Sequence, residues 1–195
     1  MINWLEQIDR QIVLSINSLH TPFFDNLMWL LSSRFLWIPF YILLLAIVYR
    51  KKSLLPTLLF LAGALLLVFL ADFVSVHAFK EVFQRYRPSH NLLLTDKLHF
   101  YQDSNGQEYK GGQFGFISSH ASNFAAITTF FILYIKDIKW KWGFYIPMIM
   151  VGISRIYLGV HYLSDVIIGF LFGGILAYFF FKFAFVYLND KLKFQ

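Results

Sequence analysis

The sequence has no cysteine and little charge, and both shortages narrow what the protein can be. Without cysteine there is no thiolate nucleophile, no thiolate zinc site, no iron–sulfur cluster and no disulfide scaffold. Only 14% of the 195 residues are charged and only 11 are acidic, whereas about a quarter of an ordinary soluble domain is charged. That excludes a water-soluble globule of usual composition, a coiled coil and a charge-rich disordered chain. What is present instead is apolar: 58% hydrophobic residues, 21% aromatic ones and a mean hydropathy of +0.58. These residues gather into runs long enough to cross a hydrocarbon layer about 30 Å thick, so the chain reads as an integral membrane protein.

Five apolar blocks occupy roughly residues 35–49, 54–79, 121–135, 142–158 and 162–188. A bilayer offers backbone groups no water to bond, and runs of this length are too long and too unbroken for barrel strands, so they are helices. The predicted fold is an all-α polytopic membrane helix bundle of about five to six transmembrane helices. The count depends on whether the short first block recruits the stretch Phe23 to Ser33. Residues 3–17 alternate apolar and polar positions at helical spacing, with Trp4, Ile8, Ile12, Leu14 and Ile16 against Glu6, Asp9 and Arg10, and predict an interfacial helix. This stretch lacks a basic leader and a small-residue cleavage site, so it does not read as a signal peptide. The chain divides into an N-terminal amphipathic segment (1–34), a transmembrane domain (35–188) with a polar loop at about 88–118, and a short tail (189–195).

With five crossings, the 50–53 turn, the 136–141 turn and the C-terminus share one side, which carries net +7, and the rest of the polar residues share the other, at −1. Raw basic counts are nearly equal. Arg50-Lys51-Lys52 and Lys136/Lys139/Lys141 nevertheless sit in very short turns, where the positive-inside rule acts most strongly, so the second side is expected to face outward from the plasma (inner) membrane. Trp140 and Trp142 fit an interfacial aromatic belt.

On that outward side, three segments carry chemistry. Lys80 and Arg87-Pro88 close the second block, seven residues apart, which on a helix is within about 20° of two full turns and places both cations on one face. Taken alone they also suit a basic cluster snorkelling to lipid headgroups. Ser118, Ser119 and His120 lead into the third block; a serine there reads as an N-cap, and also as part of a phosphate cradle at a helix start with His120 as proton donor. Arg155, His161 and Asp165 lie at the junction of the fourth and fifth blocks. His161 and Asp165, at i and i+4, can share a hydrogen bond on a helix that leaves the other ring nitrogen free as nucleophile or base; a purely structural His–Asp pair is the alternative. Three cations suit a group with several anionic oxygens, and phosphoryl transfer needs little beyond positioning, charge neutralisation, a nucleophile and an acid. No HExxH, paired-Asp or cysteine site is present, so a route without metal or other cofactor is expected.

In these segments the sequence resembles the type-2 phosphatidic acid phosphatase superfamily of membrane lipid phosphatases. Its signatures K-x6-RP, PSGH and SR-x5-H-x3-D are matched by Lys80 to Arg87-Pro88, by Ile117-Ser118-Ser119-His120, and by Ser154-Arg155 to His161 and Asp165. The second signature departs twice: Ile117 stands for proline and Ser119 for glycine, which puts a side chain where the backbone approaches phosphate. The resemblance covers roughly residues 35–188. It implies that His161 attacks phosphorus to form a phosphohistidine, that Asp165 orients His161, and that His120 protonates the leaving group. It also implies that Lys80, Arg87, Arg155 and Ser118 hold the phosphoryl oxygens, with Ser119 beside them.

Asp72, about two turns before Lys80, His77, one turn before it, and Ser154 are candidate supporting residues, each with a packing role as the alternative. Asp25 and His20 read as interfacial. Asn105-Gly106 signals a hairpin turn within the 89–115 loop, which is either a lid or an exposed excursion. Gly169 and Gly173 read as a close helix contact. The expected partners are the bilayer and a lipid phosphate, with no nucleic acid. Candidate substrates are undecaprenyl diphosphate, phosphatidylglycerophosphate, phosphatidic acid and lipid A phosphate. A lipid phosphotransferase would use the same site. A non-catalytic anionic-lipid binder or transporter would need the cations but has no use for the His161–Asp165 pair.

Overall fold

The structure, a computed structural model, describes residues 2–186, so the predicted tail at 189–195 and the last residues of the fifth block lie outside it. Among the described residues it is helical, with no strand beyond two isolated bridges. We label the helices α1 (Ile2–Asn17), α2 (Pro22–Ser32), α3 (Ile38–Lys52), α4 (Leu54–Val74), α5 (Ser119–Tyr134), α6 (Ile146–Tyr157) and α7 (Leu163–Phe179).

Among the described residues, two helical runs are long and apolar enough to cross a membrane: Leu54–Phe83, in which α4 continues through a π-helical turn at Ser75–Lys80, and Leu163–Phe185, in which α7 does the same at Phe180–Phe185. At 1.5 Å per residue, their 30 and 23 residues exceed the hydrocarbon thickness. The stretch before α3 forms α2, capped by the Thr21 hydroxyl and opened by Pro22, and it meets the Phe35–Lys52 run at a 68° bend. The pair counts at most as one broken span, since α2 has 11 residues and cannot cross alone.

Large apolar side chains such as Leu58, Leu65, Phe69, Ile167, Leu171 and Phe179 point outward, as a lipid solvent permits. Inside, Leu44, Val48, Phe60, Leu67, Phe130, Phe131 and Phe185 form the main core among α3, α4, α5 and α7. Phe60 stacks on Phe130 at 4.9 Å between ring centroids, and Phe185 meets Phe130 edge-on at the same separation.

Helices α5 and α7 pack most intimately, because glycines remove the side chains between them. A Cβ built on Gly169 would fall 2.8 Å from the Ser118 carbonyl oxygen, and one on Gly173 would overlap that of Ser122. This is the small-residue contact expected of the pair. It fixes the start of α5 against the start of α7.

At the opposite end, Lys51 donates to the Asp137 carbonyl, joining the two basic turns. The ends that carry Lys80, His120, Arg155 and Asp165 therefore gather at the other end of the bundle. There the 101–109 segment forms the expected hairpin: Tyr109 N–H bonds Tyr101 O at 2.9 Å, Asp103 N–H bonds Gln107 O at 3.0 Å, and Gly106 takes the left-handed conformation of the turn. Trp29 on α2 stacks on Tyr101 and meets Tyr109 edge-on, anchoring the hairpin over the site.

Candidate active site

Lys80, Arg87, Ser119, His120, Arg155 and His161 converge on one cavity of about 810 Å³. Asp72, Arg34, Tyr109, Gly111 and Gly112 also line it, and it runs on between α3 and α4 along Tyr41, Leu44, Phe60, Ala64 and Val68. A cationic head thus opens into an apolar trough, the form of a site for an amphiphile with an anionic end.

The convergence is real, but two of its local geometries differ from the helical reading of the sequence. Lys80 and Arg87 do not share a helix face. The helix ends when Gln84 turns left-handed (φ 46°), and Arg87 follows in extended backbone, with Pro88 opening a short 3-10 turn. Loop contacts bring Arg87 back: its N–H bonds Gln113 O at 3.1 Å and its Nε donates to Phe114 O at 3.1 Å. Likewise His161 and Asp165 do not share a helix. His161 precedes α7, while Asp165 lies in its first turn and accepts from Tyr162 N–H at 3.0 Å, capping the helix start.

His161 is enclosed, at 1% exposure. Its Nε2 accepts from Arg87 Nη1 at 3.0 Å, which assigns the ring proton to Nδ1. Nδ1 faces Asp165 Oδ2 at 3.5 Å, longer than a hydrogen bond, and has no partner. Burial, followed by Arg87 and Arg155, holds the His161 imidazole well below the usual histidine range, so the ring is neutral and its Nε2 carries a lone pair near neutral pH. Burial and the neighbouring Arg155 push Arg87 down to about 10.

Arg155 is held on two sides. Its Nη1 donates to Ser32 Oγ at the α2 end and its Nη2 to Tyr109 Oη of the hairpin at 2.9 Å, while its buried Nε–H is unpartnered. Lys80 Nζ donates to Ser119 Oγ at 2.6 Å. Ser119 in turn shares a 2.6 Å bond with Ser75, whose hydroxyl donates to Asp72 O at 2.8 Å. The side chain at the signature's glycine position thus fixes the position of the Lys80 ammonium in the cavity.

The remaining candidates lie elsewhere. Ser118 is fully buried as the N-cap of α5: its Oγ accepts from Ala121 N–H at 3.4 Å and its own N–H donates to Asp165 O at 3.0 Å, so its side chain does not line the cavity. Ser154 bonds Val151 O within its helix, and His77 is exposed beside Glu81 at 2.9 Å. Asp25 is not merely interfacial: it accepts from Tyr157 Oη at 2.7 Å and pairs with His99 at 2.9 Å, while His20 stacks on His99. Sequence reasoning passed over Arg34, Tyr109, Arg85 and Asp9. Long-range packing of α1 and the hairpin brings in Asp9 and Tyr109, and the bend between α2 and α3 brings in Arg34, whereas Arg85 stands two residues from Arg87 and was open to the same question. Among the described residues, no three His, Cys, Asp or Glu side chains form a metal-binding group.

A buried histidine facing a carboxylate, in a cavity shared with three cations at one end of an apolar trough, is an arrangement suited to a phosphorylated amphiphile at a membrane. The sequence matches agree. Residues 57–187 match the profile of the PAP2 superfamily, and the chain belongs to that family. It is 32% identical over 195 residues to a lipid A 4'-phosphatase of Porphyromonas gingivalis, covering 98% of this chain and 78% of that one. It is 30% identical over 176 residues to a lipid A 4'-phosphatase of Bacteroides thetaiotaomicron, covering 89% and 76%. Among solved structures, the fold is similar to the PAP2-type phosphatidylglycerolphosphate phosphatase of Bacillus subtilis (TM-score 0.66, 21% identity, 97% of this chain and 88% of that one). It is also similar to LpxE of Aquifex aeolicus (TM-score 0.65, 23% identity, 89% and 94%).

Proposed function

We propose that this protein removes a phosphate from lipid A through a phosphohistidine at His161, working from the outward face of the plasma membrane. The observation that carries the reading is the placement of a neutral, buried His161 between Arg87 and Asp165 at the cationic end of an apolar trough. Two relatives that match nearly the whole chain act, by name, on the 4'-phosphate of lipid A, which favours that phosphoester among the candidate lipids.

The phosphate enters the cavity head and draws Lys80, Arg87 and Arg155 to its anionic oxygens, while acyl chains lie along Ala64, Val68 and Phe60. Arg87 turns from Nε2 to phosphate, freeing the lone pair. Nε2 then bonds phosphorus as the P–O ester bond breaks, and His120, which takes up a proton from water as the negative charge of the phosphate enters the cavity, gives that proton to the departing alkoxide. The ring becomes cationic, and its Nδ1–H closes on Asp165 Oδ2. Water next attacks phosphorus while His120 takes a proton from it; the P–N bond breaks and inorganic phosphate leaves.

Five crossings suit this reading: the α2–α3 pair as one broken span, then α4, α5, α6 and α7, with the basic turns inside. The test is phosphate release by detergent-purified protein from lipid A and a panel of other lipid mono- and diphosphates, with EDTA, beside His161→Ala. Release that survives EDTA, vanishes in the variant and is fastest from lipid A, leaving by mass spectrometry a product that keeps its 1-phosphate, is the expected result. No release, or equal release by both proteins, overturns the mechanism; faster turnover of another lipid overturns the substrate.

A further inference from the structure

Below His161, on the side away from the cavity, Asp165 is joined to two charged residues that the family signatures do not include, Arg85 and Asp9. Arg85 Nη1 donates to Asp165 Oδ1 at 2.7 Å and to Ser164 Oγ at 2.7 Å, and its Nη2 donates to Asp9 Oδ2 at 2.8 Å. Asp9 comes from α1. Its Oδ1 accepts from Ser164 N–H at 3.0 Å and its Oδ2 from the Ser164 hydroxyl. Asp9 is 5% exposed and Asp165 fully buried, so neither carboxylate is the solvated group that an interfacial helix would present. The Arg85 guanidinium lies over the Tyr162 ring at 4.2 Å, and its backbone carbonyl accepts from Gly115 N–H at 2.9 Å. One arginine is thus clamped between two carboxylates from opposite ends of the chain.

We propose that Arg85 and Asp9 are positioning residues for the nucleophile: the Asp9–Arg85 pair aims the Asp165 carboxylate at His161 and sets how much negative charge it presents there. Geometry supports the aiming. With Oδ1 engaged by Arg85 and Oδ2 by Tyr162 N–H, the carboxylate cannot rotate, and the oxygen left facing Nδ1 is Oδ2, at 3.5 Å. Charge supports the second part. Arg85 alone would neutralise Asp165 and weaken its hold on the imidazolium that forms when Nε2 bonds phosphorus. Because Asp9 takes the other half of the fork, the three groups together keep one negative charge beside Nδ1. A planar guanidinium holds the two carboxylates on two separate nitrogens in fixed directions, whereas an ammonium offers a single compact charge that fixes neither. The N-terminal helix is accordingly part of the catalytic apparatus at one remove, holding a residue that holds the residue behind the nucleophile.

The inference rests on the phosphohistidine reading, and the experiment separates the two. Steady-state kinetics on the lipid substrate and the inhibition constant of inorganic phosphate are measured for the wild type, His161→Ala, Asp9→Asn, Arg85→Lys and the double variant. The expected result is a fall in kcat of about tenfold in each single variant, with KM and the phosphate inhibition constant within about twofold of wild type. The double variant should fall no further than the worse single one, since both act through Asp165. Wild-type kcat in Asp9→Asn or Arg85→Lys, in a wild type whose activity depends on His161, overturns the positioning role alone. A loss of phosphate affinity in step with kcat also overturns it, because that marks general damage to the site. Absence of His161-dependent release in the wild type overturns the mechanism and this inference with it. Where Asp9→Asn does not fold, Ser164→Ala, which keeps all three charges and loosens only the hydroxyl clamp, decides instead: the same selective fall in kcat supports the proposal and an unchanged kcat refutes it.

Discussion

Three glycines within five residues of the site loop make a graded test of how tightly His161 is enclosed. A Cβ on Gly115 would stand 3.0 Å from Arg87 Cγ, 3.2 Å from Asp165 Oδ2 and 3.5 Å from His161 Nδ1. Ordinary carbon contacts lie at about 3.5–4.0 Å, so Gly115→Ala must move the arginine stem or the carboxylate by roughly half an ångström. A misplacement of about 1 Å in a reacting constellation costs about a hundredfold, so half that shift is expected to lower kcat/KM about tenfold. The overpacking itself costs about 1–3 kcal/mol of stability, which leaves the protein folded. Gly111 has φ +65° and a built Cβ 3.1 Å from Arg87 Nη1, so Gly111→Ala combines a left-handed backbone penalty of about 1–2 kcal/mol with displacement of the guanidinium. It should lose at least as much activity. A Cβ on Gly112 meets nothing within 4 Å, and Gly112→Ala should stay within about twofold of wild type. Initial rates of phosphate release in detergent micelles, with thermal stability of each variant alongside, check the series. Equal losses in Gly112→Ala and Gly115→Ala, or a fully active, folded Gly115→Ala, would refute the reasoning.

Ser119→Ala removes the 2.6 Å bond that steers Lys80 and should lower kcat/KM about fivefold, the worth of about 1 kcal/mol; an unchanged rate would show that Lys80 finds phosphate unaided. Because His161 is held neutral below the ordinary histidine range, its ring should titrate below about 6.5, read from histidine NMR signals of the wild type that are missing in His161→Ala; a midpoint at or above 6.5 contradicts the burial argument. The same shift has a stability sign. Below about 6.5 the unfolded chain binds a proton that the folded His161 refuses, so stability declines as pH drops from there, measurable by thermal unfolding between pH 7.5 and 5.5. Ala64→Trp, which fills the trough between α3 and α4, should raise KM for a long-chain lipid phosphate by about tenfold or more and leave a short water-soluble phosphate ester within about twofold. Equal effects on both would mean that the trough holds no acyl chain.

Much of the site was legible because it is written in short local patterns. Lys80, Arg87, His120, Arg155, His161 and Asp165 carry the signatures, and two long apolar runs and the Gly169/Gly173 pair announced the helices that carry them. Local periodicity failed where the backbone leaves the regular helix. The π-turn at Ser75–Lys80 and the left-handed Gln84 break the two-turn arithmetic between Lys80 and Arg87, and residue types alone do not signal either. Asp9 looked like the polar face of a surface helix, since its two partners stand about 76 and 155 positions away and no window of sequence contains them. Ser118 by itself reads first as a cap, and the family resemblance gives it to the phosphate; Ala121 N–H and the Asp165 carbonyl, which the close α5–α7 contact supplies, keep it a cap. Long-range packing, rather than composition, decided each of these.

The Arg87 guanidinium 3.0 Å from His161 Nε2 has a chemical consequence for the resting protein. In the proposed mechanism the lone pair that attacks phosphorus is already engaged, by a group whose affinity for anionic oxygens exceeds its affinity for an imidazole. A neutral electrophile that drifts into the trough has nothing with which to draw that guanidinium aside and meets a masked nitrogen. A phosphate carries the means of unmasking in its own charge. Discrimination therefore begins before the substrate is fully bound, at the exchange of a single hydrogen bond, and the nucleophile stays latent until the correct kind of charge arrives.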